Sequence, residues 1–291
     1  MNRQQPYDSS MKGLFEEDAA GILPNLVEGV KLVEVLDIEA LRPPLRADRV
    51  YRVQYKERPH ILHLEFQSGA DEEMAYRLAE HHTYLLRRYR QPVLSVVLYL
   101  FETTIVESPL QEMSGDEELL RFRFHVLPLW TFNARNYLEG HVLSMYPLLP
   151  AMANANKQAL LQAVEEMIQF YQDDNESLAR RLLWFSTLLN RSQTVLAEDK
   201  QAVKERLGMF DDLLEQSDFV QKQRELGRED GEMRASRRIL VELVKKQYPS
   251  LATLAQQKAG NIHNATAIEE VIQMIFSVHD EEAARIILNA A

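Results

Sequence analysis

Along "HILHLEFQS", residues 60–68, Leu62, Leu64 and Phe66 alternate with His63, Glu65 and Gln67. Successive strand side chains change face, so this pattern predicts a strand with an apolar back and a front of His, Glu and Gln. Just upstream, "DRVYRVQY" (48–55) is rich in Val and Tyr and predicts a second strand, with "KERP" as the turn between them. A short turn between two such runs makes an antiparallel hairpin. "KLVEVLDIEA" (31–40) alternates as an earlier strand, and "LRPPLRA" reads as a loop because its prolines forbid helix. The continuous apolar run "PVLSVVLYLF" (92–101) predicts a strand buried on both faces. "ELLRFRFHVLPLW" (118–130) predicts one more strand, nearer the edge.

Helical spacing takes over elsewhere. Met11, Leu14, Phe15, Ala19, Ile22 and Leu23 recur as one face of a helix over 8–29. "GADEE" opens a helix over 72–90, its acidic residues suited to the positive end of the helix dipole. The order is therefore helix, three strands, helix, strand, and the last strand–helix–strand passage requires a parallel crossover. That is an α/β fold. After about residue 150 the pattern becomes amphipathic helix only, and "RELGREDGEM" reads as an exposed helix or a hinge. The expected organisation is an α/β domain over 1–145, a helical region with a charged linker over 146–232, and a small helical unit over 233–291.

Composition narrows the function classes. Hydrophobic residues make up 46% of the 291, enough for a sizeable core. With no cysteine there is neither disulfide nor thiolate metal site. The longest apolar run is too short to span a bilayer, and "MNRQQPYDSSMKGLFEE" has no signal-peptide core, which predicts a soluble cytoplasmic protein with no membrane partner. The net charge of −11 counts against broad nucleic-acid binding and requires any such contact to use a local basic face.

The hairpin places Asp48 opposite about residue 67, so the carboxylates of Asp48 and Glu65 are expected to meet at one end of the sheet. Two hard oxygen ligands at an open point suit Mg²⁺, which keeps waters and accepts phosphate oxygens. The alternative is that these polar positions form a solvated strand face. On the following helix Arg77, His81, Tyr84 and Arg88 share a stripe beside Ala75, Leu78, Ala79, Leu85, Leu86 and Tyr89. The stripe is either a solvated face or a phosphate-facing edge. His63 is expected to be a hydrogen-bonded strand histidine rather than a ligand. His81 and His82 are not a metal pair, because neighbouring helix positions diverge by about 100°. Trp130 and Trp184 are expected in the core.

An Asp followed at some distance by Glu-x-Lys resembles the PD-(D/E)XK nuclease superfamily, with Gln67 here in the place of Lys. The blocks "YDSSMKGLFEEDA", "LRADRVYRV", "ILHLEFQS" and "MAYRLAEHHTYLLRRY", in this order, resemble the bacterial recombination-promoting nuclease family over about residues 7–140. The resemblance implies a restriction-endonuclease-like core and a Mg²⁺-dependent DNA endonuclease. It implies metal ligation by Asp48, Glu65 and the carbonyl of Phe66, with Gln67 where a lysine orients the attacking water. Gln is no base at neutral pH, so water activation must lean on the metal. The superfamily also has an acid on its first helix, for which Asp8, Glu16, Glu17 and Asp18 are open choices. Arg77, Tyr84 and Arg88 are the expected DNA contacts, and the C-terminal helices are a possible homodimer contact. The rival readings are a non-catalytic DNA-binding or protein-interaction module on a decayed nuclease fold, and a helical adaptor regulated by its N-terminal domain.

Overall fold

The computed structural model describes residues 5–35, 47–262 and 264–290. It opens with α1 (Gln5–Leu26), β1 (Val30–Val35), β2 (Arg49–Tyr55), β3 (Arg58–Gln67), α2 (Met74–Tyr89) and β4 (Val93–Tyr99). A hairpin of β5 (Leu110–Ser114) and β6 (Glu117–Phe122) and the short β7 (His125–Pro128) follow. The rest is helical: α3 (Ala134–Glu139), α4 (Lys157–Phe170), α5 (Asn175–Arg191), α6 (Ala197–Gly208), α7 (Asp211–Gln216), α8 (Asp218–Gln247), α9 (Ala252–Asn261), α10 (Ala265–Ser277) and α11 (Glu281–Ala290). The expected first strand is described only to Val35, and the "LRPPLRA" loop lies outside the described residues up to Arg46.

The main sheet has the order β1-β2-β3-β4-β7, antiparallel through β3 and parallel from β3 to β7. The β2–β3 turn is Lys56-Glu57, both at positive φ (48° and 63°). That is the backbone of a two-residue turn matched to strand twist. The strand expected over 118–130 is two strands in two sheets: β6 pairs with β5, and β7 adds to the edge of the main sheet. Phe122 and Phe124, two apart, are both buried as alternation requires, but the backbone leaves the ladder at residues 123 and 124, so the stretch does not continue as one strand.

The sheet is covered on both faces. Leu62, Leu64, Phe66, Val96 and Leu98 pack with Met11, Leu14 and Phe15 of α1 and with Leu160, Trp184 and Phe185 of α4 and α5. Burial of a side chain such as Phe185 contributes roughly 2–3 kcal/mol. The α2 face holds two smaller apolar clusters. Ala47, Val50, Ile61 and Leu85 form one, and Met74, Leu78, Val97, Tyr99, Phe122 and Phe124 the other. Trp184 is fully buried, while Trp130 is a partly buried neighbour of the second cluster.

The chain divides into two compact units, Met1–Val220 and Gln221–Ala291. The compositional change near residue 150 falls inside the first unit, whose core runs from α1 to Leu207 of α6. A boundary at 145/146 therefore marks a change of element type, because α4 and α5 complete the core of the sheet. The charged stretch around Gly227 and Gly231 is an exposed part of helix α8 rather than a break in it. The second unit has its own core of Leu240, Val244, Leu251, Ile268, Ile275 and Leu288.

Candidate functional site

Most buried polar side chains of the first unit lie on the α2 face between the two apolar clusters: Asp48, His63, Glu65, Gln67, His81 and Ser95. Burying polar groups disfavours folding unless they are partnered, so their partners define what this place is for.

Asp48 lies one step beyond the last paired residue of β2. Arg49 pairs with Leu64, so continuing the register sets Asp48 against Glu65, two residues short of the expected position opposite 67. The difference arises because the turn is the two residues 56 and 57, with Tyr55 already paired to Arg58. The Asp48 carboxylate accepts from the backbone N–H of Phe66 at 2.9 Å, a bond that a continued ladder would give to the β2 backbone. The Phe66 carbonyl points to the same side of β3 as its N–H, toward the end of β2. The other Asp48 oxygen is 2.7 Å from Lys12 Nζ on α1, and the Asp48 N–H donates to Glu65 Oε1 at 3.2 Å. Asp48, Glu65 and the Phe66 backbone thus lie at one sheet end, where the Asp48 main chain meets the Glu65 carboxylate and the Asp48 carboxylate meets the Phe66 N–H and Lys12.

Glu65 Oε1 is also 2.8 Å from His63 Nε2 and 3.1 Å from His81 Nδ1, and the two nitrogens are 3.2 Å apart. All three residues are buried. Burial by itself would raise the Glu65 carboxyl, but the hydrogen bonds from His63 and His81 outweigh it and hold it well below the usual carboxylate range. Burial pushes the His63 imidazole down, against the opposing pull of Glu65. His63 is within hydrogen-bond distance of Glu65 on its own strand, and the same nitrogen is also placed where it could ligate a metal. His81 belongs not to an exposed stripe but to the sheet-facing side of α2, and His82 diverges from it to meet Ser95 Oγ at 3.1 Å. The helical stripe misassigned His81 because spacing along a helix does not say which polar residue faces a polar part of the sheet.

Gln67 is buried, and its amide donates to Asp71 Oδ2 at 3.2 Å; the same oxygen accepts from Arg77 at 2.8 Å. Asp71 precedes α2, where it accepts from the N–H of Glu73 at 3.0 Å. Of the other stripe residues, Tyr84 packs against the Val50–Ile61–Leu85 cluster, and the exposed Arg88 donates to its hydroxyl at 3.1 Å. Arg77 is therefore at the site, whereas Arg88 is three helical turns away along α2.

The α1 acids separate. Glu16 pairs with Arg49, next to Asp48. Glu17 and Asp18 face Arg180 and Arg181 of α5. The side chain of Asp8 lies outside the described residues. Lys12, His81 and Asp71 were not among the predicted site residues. The i, i+4 spacing of Lys12 and Glu16 would have placed both on one side of α1, and Asp71 stands four residues beyond Gln67, but neither spacing identifies a partner across the fold.

Compared with known proteins, the chain finds no match among family models, curated proteins or solved structures.

Proposed function

We propose that the chain is a metal-dependent DNA endonuclease with a restriction-endonuclease-like core, its catalytic centre at Asp48, Glu65 and Gln67. The observation that supports this best is the convergence of Asp48 and Glu65 where β2 ends beside β3, in a sheet whose order is helix, three strands, helix, strand.

The donor set fits a hard cation. Two carboxylates and a strand carbonyl with no continuing β2 partner are oxygen ligands of the kind Mg²⁺ prefers, and Lys12 already holds a positive charge against Asp48. Asp48, Glu65 and the Phe66 carbonyl would hold the ion. When bound, it supplies a lowered pKa for a ligated water and neutralises phosphate charge. The chain's own part is positioning. The N–H of Phe66 fixes the Asp48 carboxylate, and Asp71 fixes Gln67 by accepting from its amide N–H, beside the place a metal-bound water would take. Arg77 is the cation nearest these groups on α2; Asp71 holds one of its terminal nitrogens and Met74 Sδ lies against the other, a weak contact that a phosphate oxygen would replace. Tyr84 and Arg88 extend the contact along the helix.

The rival reading, a non-catalytic interaction module, is favoured by the burial of Asp48 and Glu65 and by the engagement of both carboxylates with protein groups. Conversion of supercoiled plasmid to open circle separates the two. Nicking with Mg²⁺ that stops with EDTA and is lost in folded Asp48→Asn and Glu65→Gln proteins supports the endonuclease. Absence of nicking by the wild type, or undiminished nicking by folded Glu65→Gln protein, refutes it.

A further inference from the structure

Three atoms that can each offer a lone pair, His63 Nε2, Glu65 Oε1 and His81 Nδ1, stand 2.8, 3.1 and 3.2 Å from one another. Protons alone cannot satisfy all three contacts. The carboxylate of Glu65 is an acceptor only, so each imidazole must direct an N–H at the same oxygen, which also takes the Asp48 N–H. The two ring nitrogens then face each other at 3.2 Å as like donors. If instead one nitrogen accepts from the other, its lone pair is turned against the carboxylate. A single cation satisfies all three edges at once.

The dimensions agree with that. Ligands at about 2.1 Å from a metal and at right angles stand about 3.0 Å apart, and tetrahedral ones about 3.4 Å. The observed edges match one face of an octahedral or five-coordinate ion, the arrangement of a two-histidine, one-carboxylate triad. The elements that present it are rigid: His63 and Glu65 are alternate residues of a central strand, and His81 is on the helix packed over them. His63 Nδ1 is buried with no hydrogen-bond partner among the described residues, and it stays so whether a proton or a metal occupies Nε2, so the three short edges alone point to a metal.

We propose that His63, Glu65 and His81 bind one divalent first-row transition-metal ion of the Zn²⁺, Mn²⁺ or Fe²⁺ class. Imidazole nitrogens suit these ions and not Mg²⁺, which requires oxygen ligands. In the bound form His63 Nε2 and His81 Nδ1 present lone pairs to the metal, and the proton of each ring sits on its other nitrogen. This site needs none of Asp48, the Phe66 carbonyl or Gln67, so its metal binding can be measured apart from DNA cleavage, although it shares Glu65 with the centre proposed above.

The test uses the full chain stripped with EDTA, with Zn²⁺, Co²⁺ and Mg²⁺ as single probes in titration calorimetry. One equivalent of Zn²⁺ or Co²⁺ is expected to bind and raise the melting temperature, with Mg²⁺ at equal concentration giving no such rise. His63→Gln and His81→Gln are expected to weaken Zn²⁺ binding at least about 100-fold, more than loss of a supporting residue would. Asp48→Asn is expected to bind Zn²⁺ as the wild type does, whether or not the protein nicks DNA. The proposal is overturned if the wild type binds neither ion, if the folded histidine variants bind as the wild type does, or if Asp48→Asn abolishes binding. Should the histidine variants fail to fold, the zinc absorption-edge spectrum of the wild type takes their place. Two imidazole ligands uphold the site, and fewer than two overturn it.

Discussion

Glu65 is the most heavily engaged buried side chain of the α2 face, since one oxygen takes His63, His81 and the N–H of Asp48. Glu65→Ala removes the acceptor and leaves those donors buried, which should destabilise the metal-free protein by about 3 kcal/mol. Glu65→Gln, which keeps one oxygen and the shape, should cost less. Urea unfolding in EDTA measures both, and a loss in Glu65→Ala below about 1 kcal/mol would show that the cluster is not held by its acceptor. A second residue sets an acid limit. Burial tends to raise the Glu166 carboxyl, but bonds from Tyr146, Gln162 and His141 outweigh this and hold it below its usual range. Between the folded and unfolded pKa values the unfolded chain binds more protons, so stability from Glu166 is complete above the unfolded value near 4.3 and is lost as pH falls below it. Glu166→Gln should flatten that part of the stability–pH curve, and an unchanged slope between pH ~5 and ~3 would refute it.

Among the elements, α8 is the clearest case of local preference overridden. It is a 30-residue helix that continues through Gly227 and Gly231, and a Cβ added at either meets nothing within 4 Å. Each glycine costs about 1 kcal/mol relative to alanine in an exposed helix interior. Gly227→Ala and Gly231→Ala should therefore each stabilise the helix by about that amount, seen as slower amide hydrogen exchange over α8; faster exchange would mean that the helix is opposed there by something else. At the other end of the chain, α1 bends where Asp18 leaves helical geometry (φ −137°, ψ 42°) and its carboxylate accepts from the N–H of Gly21 at 3.2 Å. Asp18 thus acts as a cap inside the helix. A Cβ on Gly21 would come within 2.8 Å of Ser144, so that glycine permits α1 to approach the segment before α4.

At the scale of the whole molecule, the first unit is a single core built from both halves of its sequence. Leu160, Val164, Trp184, Phe185 and Leu188 complete the α1 side of the sheet. A chain ending near residue 150 exposes that face, loses roughly 2 kcal/mol for each large side chain removed, and is expected not to fold cooperatively. A chain ending at Val220 keeps the unit and should unfold in one transition monitored by Trp184 fluorescence. Cooperative unfolding of the shorter chain would refute the single-core description. Among the described residues no helix is long and apolar enough to cross a membrane.

Alternation and helical spacing were sufficient to identify the order of the main elements and the polar front of β3, because which face a side chain takes is a local property of strands and helices. They also brought Asp48 and Glu65 together, since a short turn dictates what lies across a hairpin. Spacing did not reveal that Asp48 meets Lys12 of α1, that Gln67 meets Asp71, or that His81 turns inward onto Glu65. Each of those contacts depends on which helix covers which face of the sheet and at what rotation, and a helix with polar residues on several sides has more than one acceptable rotation by itself. Packing α2 between two apolar clusters, anchored by Leu78 and Leu85, selected the rotation that buries His81 against His63 and Glu65, and only that tertiary choice assembled three potential ligands from two separate elements.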